Sequence, residues 1–204
     1  MEFVETVEQL RARYGAPGEG AVRKVLPMID DHSRAFLARS PFVLIGSQSP
    51  DGRADVTPKG DAPGFVKVLD AQTLAIPDRP GNRRLDTWEN IIANPSVGMI
   101  ALVPGMQETL RINGEARLTF DEGLCEELGM NGRPALSVAV VKVREVFMHC
   151  AKCFIRSGLW KPETWPDRSE LPTLGEILRD QMALAESADA LDASLADSYR
   201  KSLW

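Results

Sequence analysis

Hydrophobic and polar positions alternate through the middle of the chain, whereas both ends space them every three or four residues. Phe3, Val7, Leu10 and Tyr14 carry helical spacing, and Gly15, Pro17, Gly18 and Gly20 then break the chain. A second helix is predicted over Ile29 to Ala38, ahead of "SPF". From there the period changes. "FVLIGSQ" is a short apolar run, "SPDG" a turn and "RADVT" an alternating run, which together predict a hairpin. "GFVKVLD" and "TLAIP" predict two more strands joined by a turn near Asp70. Leu85, Trp88, Ile91 and Ile92 share one face of a helix that Asn94-Pro95 terminates. "VGMIALV" reads as a buried strand.

"TLRINGEARLTF" sets Leu110, Ile112, Ala116 and Leu118 on one face and Arg111, Asn113, Glu115 and Arg117 on the other. Asn113-Gly114 is also a hairpin signal, but the unbroken alternation favours one strand with a close-approach glycine. "DEGLCEELG" reads as a helical or irregular insert, and "ALSVAVVKVREVFM" is the longest strand. From about Leu174 the chain is helical, with Leu174, Ile177, Leu178, Leu184, Leu191 and Leu195 available to pack. Few connections have the length of a parallel crossover. The order predicts a mainly β fold with peripheral helices, an antiparallel barrel of six or seven strands. A single domain is expected over 1–204, with N-terminal helices and a helical extension over about 174–204.

Composition narrows the function. An apolar share of 44% supports a real core, and a net charge of −5 argues against a nucleic-acid partner, so any anion site must be local. No apolar run reaches transmembrane length and the start is not leader-like; a cytoplasmic protein with no membrane partner is expected. Three cysteines do not make a disulfide framework.

The local anion site is sought in "IPDRPGNRRLDTWENI", residues 76–91. There Arg83 and Arg84 follow a Pro/Gly-rich turn where a helix is predicted to begin. A helix start offers unpaired N–H groups, and guanidinium forks add charge-assisted bonds, so a phosphate monoester suits both. Two solvated surface arginines are the plainer alternative. "DVTPKGDAPGF" is read as placing Lys59 just after a strand, in a turn where backbone can approach a ligand, and "LRING" places Arg111 on a strand's polar face.

With these pieces the sequence resembles the pyridoxamine 5′-phosphate oxidase-like family of FMN-binding split barrels, from about Pro41 to Arg156. "LAIPDRPGNRRLDTWENIIANPSVGMIALV" carries the likeness, followed by "TLRINGEARL"; "HCAKCFIRSGLW" is similar to a bacterial subgroup of unassigned substrate. The resemblance implies an FMN-dependent oxidoreductase, commonly a homodimer with FMN between subunits. It assigns the FMN phosphate to Arg83 and Arg84. Ile76, Pro77 and Asp78 would offer backbone to the ring or ribityl chain. Lys59 would approach the phosphate or the pyrimidine edge, with Asn82 and Thr57 as further polar contacts. His149 and Arg156 would lie near the flavin. Trp160 would stack on the ring or pack the tail on the barrel. "PDRPGN" stands where the oxidase itself has a tyrosine–threonine pair, and no C-terminal arginine–histidine motif is present, so pyridoxamine phosphate oxidation is not implied.

Other motifs add little. His149, Cys150 and Cys153 in "HCAKC" could ligate a metal or form a redox pair, but a structural zinc site wants four ligands and no second CxxC exists. Small buried cysteines where a strand turns into a helix are the expectation, and no metal is predicted. P-loop, GxSxG and GxGxxG motifs are absent, and no catalytic residue is singled out. The rival readings are a non-catalytic flavin sensor or carrier and a haem-handling split barrel.

Overall fold

The computed structural model describes residues 1–203. The predicted hairpin is present as β1 (Phe42–Gln48) and β2 (Ala54–Gly60), antiparallel with Phe42 opposite Gly60. Three helices precede it: α1 (Val7–Tyr14), α2 (Glu19–Arg23) and α3 (Asp31–Leu37). Neither α1 nor α2 buries a residue, so the apolar spacing at Val7, Leu10 and Tyr14 faces outward. Of the residues read as a break, Gly15, Pro17 and Gly18 precede α2, a five-residue helix, and Gly20 lies within it. In contrast, α3 buries Phe36 and Leu37, and Asp30 caps it by accepting from the Ser33 N–H at 2.8 Å.

The remaining strands are β3 (Lys67–Asp70), β4 (Thr73–Pro77), β5 (Ser96–Leu102), β6 (Thr109–Thr119) and β7 (Val138–His149). Helix α4 (Asp86–Ala93) joins β4 to β5, and α5 (Glu122–Glu127) interrupts the path from β6 to β7. All pairings are antiparallel in one sheet of order β2-β1-β5-β6-β7-β4-β3. The sheet curls until its two ends meet: Lys59 of β2 contacts Asp78, just past β4. This is a mainly β split barrel with flanking helices. Its core is built from the inward positions of the strands, including Val43, Ile45, Leu74, Met99, Leu110, Ile112 and Val141, closed by Trp88 and Ile91 of α4. Each fully buried side chain of this size contributes about 1.5–3 kcal/mol.

Asn113-Gly114 is no turn. The β6–β7 register shifts there, and a Cβ on Gly114 would run into the Lys142 carbonyl oxygen. Glycine lets two backbones close over a bulge, as the unbroken alternation implied.

Beyond β7 lie α6 (Lys152–Ser157), two short 3-10 turns, α7 (Leu174–Met182) and α8 (Ala188–Ser202). α7 and α8 pack on each other, and the Gly175 N–H donates to Asp192 at 2.7 Å. Among the described residues, no helix is long and apolar enough to cross a membrane.

Candidate cofactor site

Strand β2 is an edge strand, which is why it tolerates Pro58: the missing N–H would have pointed away from the sheet. Alternation turns Asp55, Thr57 and Lys59 to one face, where all three are half-buried. Lys59 is thus inside β2, not in a turn after it as the Pro/Gly content suggested. The prolines and glycines that follow, from Gly60 to Gly64, make the turn instead.

The segment from Asp78 to Thr87 runs along this face and is tied to it at both ends. At one end Lys59 Nζ donates to Asp78 Oδ1 at 2.7 Å, and the two side chains are only 23% and 11% exposed. The same ammonium lies 4.4 Å from the Trp88 ring centroid, a cation–π position. A second tie reinforces the first. Arg79 Nε donates to Asp61 Oδ2 at 2.7 Å and Arg79 also donates to the Leu128 carbonyl at 2.8 Å, with side-chain exposures of 20% for Arg79 and 6% for Asp61. At the other end the Thr87 hydroxyl donates to Asp55 Oδ2 at 2.7 Å, and Asn90 donates to the Ser47 hydroxyl at 3.0 Å. Thr57 sits between the ties, and among the described residues no hydrogen bond engages its hydroxyl.

Between the ties the loop is exposed. The Arg84 N–H donates to Asn82 Oδ1 at 2.9 Å, and the Arg84 guanidinium pairs with Asp86. The Asp86 hydrogen bond, and then its charge, push the Arg84 pKa upward, with Asp55 adding a smaller effect. Arg83 has a left-handed backbone, φ 61°, which a non-glycine residue rarely adopts. Among the described residues no ion pair engages it. Leu85, at the N-cap of α4, offers no side-chain acceptor, so the first turn of the helix keeps N–H groups uncapped beside the two arginines.

Ile76 and Pro77 are buried and can meet a ligand only through backbone. β3 pairs with β4 no further than Ala75, so that edge of β4 has no partner strand alongside Ile76 and Pro77. Asp78 is different: its N–H and C=O are spent on Ser137 and Leu136, which leaves its carboxylate as its contribution.

The other predicted residues are not in this group. Paired residues in antiparallel strands share a face, so Lys59, Val43, Ala101 and Leu110 form one inward row. The adjacent row, Pro58, Leu44, Ile100, Arg111 and Phe147, lies on the opposite face. Arg111 stacks over Phe147 at 5.1 Å, and His149, two residues on, shares that outer face. Arg156 is exposed on α6. Trp160 donates to the Met106 carbonyl at 2.7 Å and stacks on Phe154 at 5.9 Å, so it packs the tail against the β5–β6 connection. Cys150 and Cys153 are exposed, not buried as expected, because the chain leaves the sheet at His149 and α6 buries none of its residues.

Sequence reasoning missed Asp61 and Arg79. Their signal was present: "KGD" and "DR" each set a charge beside a partner of the other tie.

The family profile described as pyridoxamine 5′-phosphate oxidase matches residues 29–150. The chain belongs to this family. Family membership leaves the substrate open. A comparison with curated proteins finds no match. Among solved structures, HupZ of Group A Streptococcus is similar at 14% identity, with TM-score 0.49 over 59% of this chain and 94% of that one. A protein of Clostridium acetobutylicum related to general stress protein 26 has 12% identity and TM-score 0.45 over 58% and 85%. An FMN-binding protein of Syntrophomonas wolfei has 7% identity and TM-score 0.43 over 71% and 97%. Similarity at this level concerns the path of the chain alone.

An open recess of about 920 Å³ is lined by Ile91, Pro95, Leu118, Phe120, Val140 and neighbours. None of the predicted site residues lines it. In one chain the loop between the ties lies open on the surface, with residues 81–85 all exposed.

Proposed function

We propose that this protein is an FMN-dependent oxidoreductase that works as a homodimer, with FMN shared between subunits. The observation that carries the reading is the loop from Asp78 to Thr87. It is tied to β2 at both ends and presents two guanidinium groups and an uncapped helix start between the ties. The donor set fits a phosphate: Arg83 and Arg84 supply charge-assisted bonds and the first turn of α4 supplies N–H groups. Thr57 and the bare edge of β4 at Ile76 and Pro77 offer neutral polar contacts for the rest of the cofactor. Bound FMN supplies hydride or electron chemistry. Lys59, held by Asp78 and Trp88, places a cation that favours added negative charge on the ring.

The register supports the dimer. Lys59 and Arg111 occupy opposite faces of one sheet, so a single flavin meets both only when Arg111 and His149 come from a second copy. An open loop in one chain fits the same reading.

The test of the cofactor is the absorbance spectrum of the purified protein and the mass of the group released by heat. Flavin bands and the mass of FMN are expected; FAD, or no flavin after reconstitution, defeats the proposal. Reduction by NADH or NADPH with aerobic reoxidation tests turnover, and retained FMN without any reduction would leave a carrier. A Soret band on haem titration without flavin uptake would favour haem handling. Subunit sharing is tested by mixing Lys59→Ala with Arg111→Ala protein. Random exchange should restore about a quarter of the sites, and no restoration would mean that a site does not combine Lys59 of one subunit with Arg111 of the other.

A further inference from the structure

Two thiols stand apart from the tied loop. β7 ends at His149, Cys150 follows, and α6 begins at Lys152 with Cys153 as its second residue. Both cysteines are free and exposed. The separation of their Cα atoms depends only on the dihedrals of the two residues between them. Ala151 has φ −68° and ψ −12°, and Lys152 is helical. Helical geometry at both positions sets the Cα atoms about 5 Å apart, inside the range of about 4.4–6.8 Å that a disulfide spans. The third cysteine is of another kind. Cys125 is buried, and desolvation, with Asp121 adding to it, pushes its thiol pKa upward. Thiol chemistry in this chain is therefore confined to one spaced pair on a surface turn.

We propose that Cys150 and Cys153 form a reversible redox dithiol that closes to a disulfide when it meets a peroxide. One sulfur attacks a peroxide oxygen and breaks the O–O bond, giving a sulfenic acid and one water. The second sulfur displaces the sulfenic hydroxyl, which leaves as a second water, and the S–S bond forms. Two S–H bonds are lost, the dithiol is oxidised by two electrons and the peroxide is reduced by two. A thiol reductant reverses the step by exchange. The backbone already has the required spacing, so closure needs side-chain rotation and no rearrangement of the fold. It locks the first turn of α6, the turn that carries Phe154 against Trp160. This inference does not depend on the cofactor reading.

The experiment uses the full chain, reduced with dithiothreitol, freed of it, and exposed to stoichiometric hydrogen peroxide. It is then denatured, alkylated with a maleimide and weighed. Before oxidation three thiols should alkylate, and afterwards only Cys125. Alkylated, the oxidised chain should be lighter than the reduced one by two maleimide adducts and two hydrogens, remain a single covalent chain, and recover on reduction. Peptide mapping should place the bridge between 150 and 153. In Cys153→Ser the reaction should stop at a sulfenic acid on Cys150 that dimedone traps. Three alkylating thiols after oxidation, disulfide-linked chains, or direct passage to sulfonic acid would overturn the proposal.

Discussion

At the end of β2, charges from segments 18 and 19 residues apart fix one another: Asp61 with Arg79, and Lys59 with Asp78. At the end of β7, Arg111 lies over Phe147, and Trp160 stacks on Phe154 while donating to a single carbonyl. The first arrangement is directional and mostly shielded from water, so each partner depends on the other. The second rests on ring surfaces, which tolerate small displacements. A polar cluster that must hold an anion's ligands in place is built in the first way. An exposed turn that opens and closes a chemical bond can be built in the second.

The sharpest way to break this contrast is to remove the loop's charge. Arg83→Ala/Arg84→Ala should weaken FMN binding roughly a hundredfold, since exposed guanidinium groups act at the lower end of charge-assisted bonding. Riboflavin, which lacks the phosphate, should bind unchanged. Flavin fluorescence quenching measures both, and equal losses would mean that the arginines act through the fold.

Cutting a tie should come next. Asp61→Asn removes the carboxylate to which Arg79 Nε donates and should cost about 2 kcal/mol of stability, below the range for fully buried pairs because Arg79 keeps some water. For a chain of this size that is a fall in Tm of roughly 4–8 °C. FMN affinity should fall about tenfold through loss of loop order. Trp160→Phe, which keeps a ring but loses the bond to Met106, should cost only about 1 kcal/mol. If thermal unfolding ranks the two the other way, the β7 end is the more constrained region.

The smallest effect concerns Asp86, which shares Arg84 with any incoming phosphate. Asp86→Asn should tighten FMN binding about threefold and leave riboflavin unaffected. Weaker FMN binding would show that Asp86 orients Arg84 rather than competing for it.

Local pattern made much of the fold legible. Strict alternation marked β6, and the Trp88 and Ile91 spacing marked α4, because both elements bury one face against the same core; Leu85 and Ile92, read as part of that face, are exposed, Leu85 as the N-cap. Strand periodicity and the family likeness placed the arginine loop. The ties could not be read, because they depend on how far the sheet curls, and that is a property of all seven strands together. Lys59 was misplaced because Pro58 and Gly60 read as turn residues, when an edge strand accepts both. Exposure of Cys150 and Cys153 was equally hidden: sequence showed a strand passing into a helix but not that the helix stands clear of the barrel.

The left-handed backbone at Arg83 carries a consequence for anyone evolving this protein. Glycine at that position would relieve strain on the order of 1 kcal/mol, and the same change would delete one of the two proposed phosphate ligands. A selection for heat tolerance run on cofactor-free protein would therefore favour Arg83→Gly and erode binding without ever testing it. Run on cofactor-loaded protein, the selection should retain arginine, because ligand occupancy then outweighs the turn's preference. Sequencing position 83 after both selections would show which pressure the residue answers to.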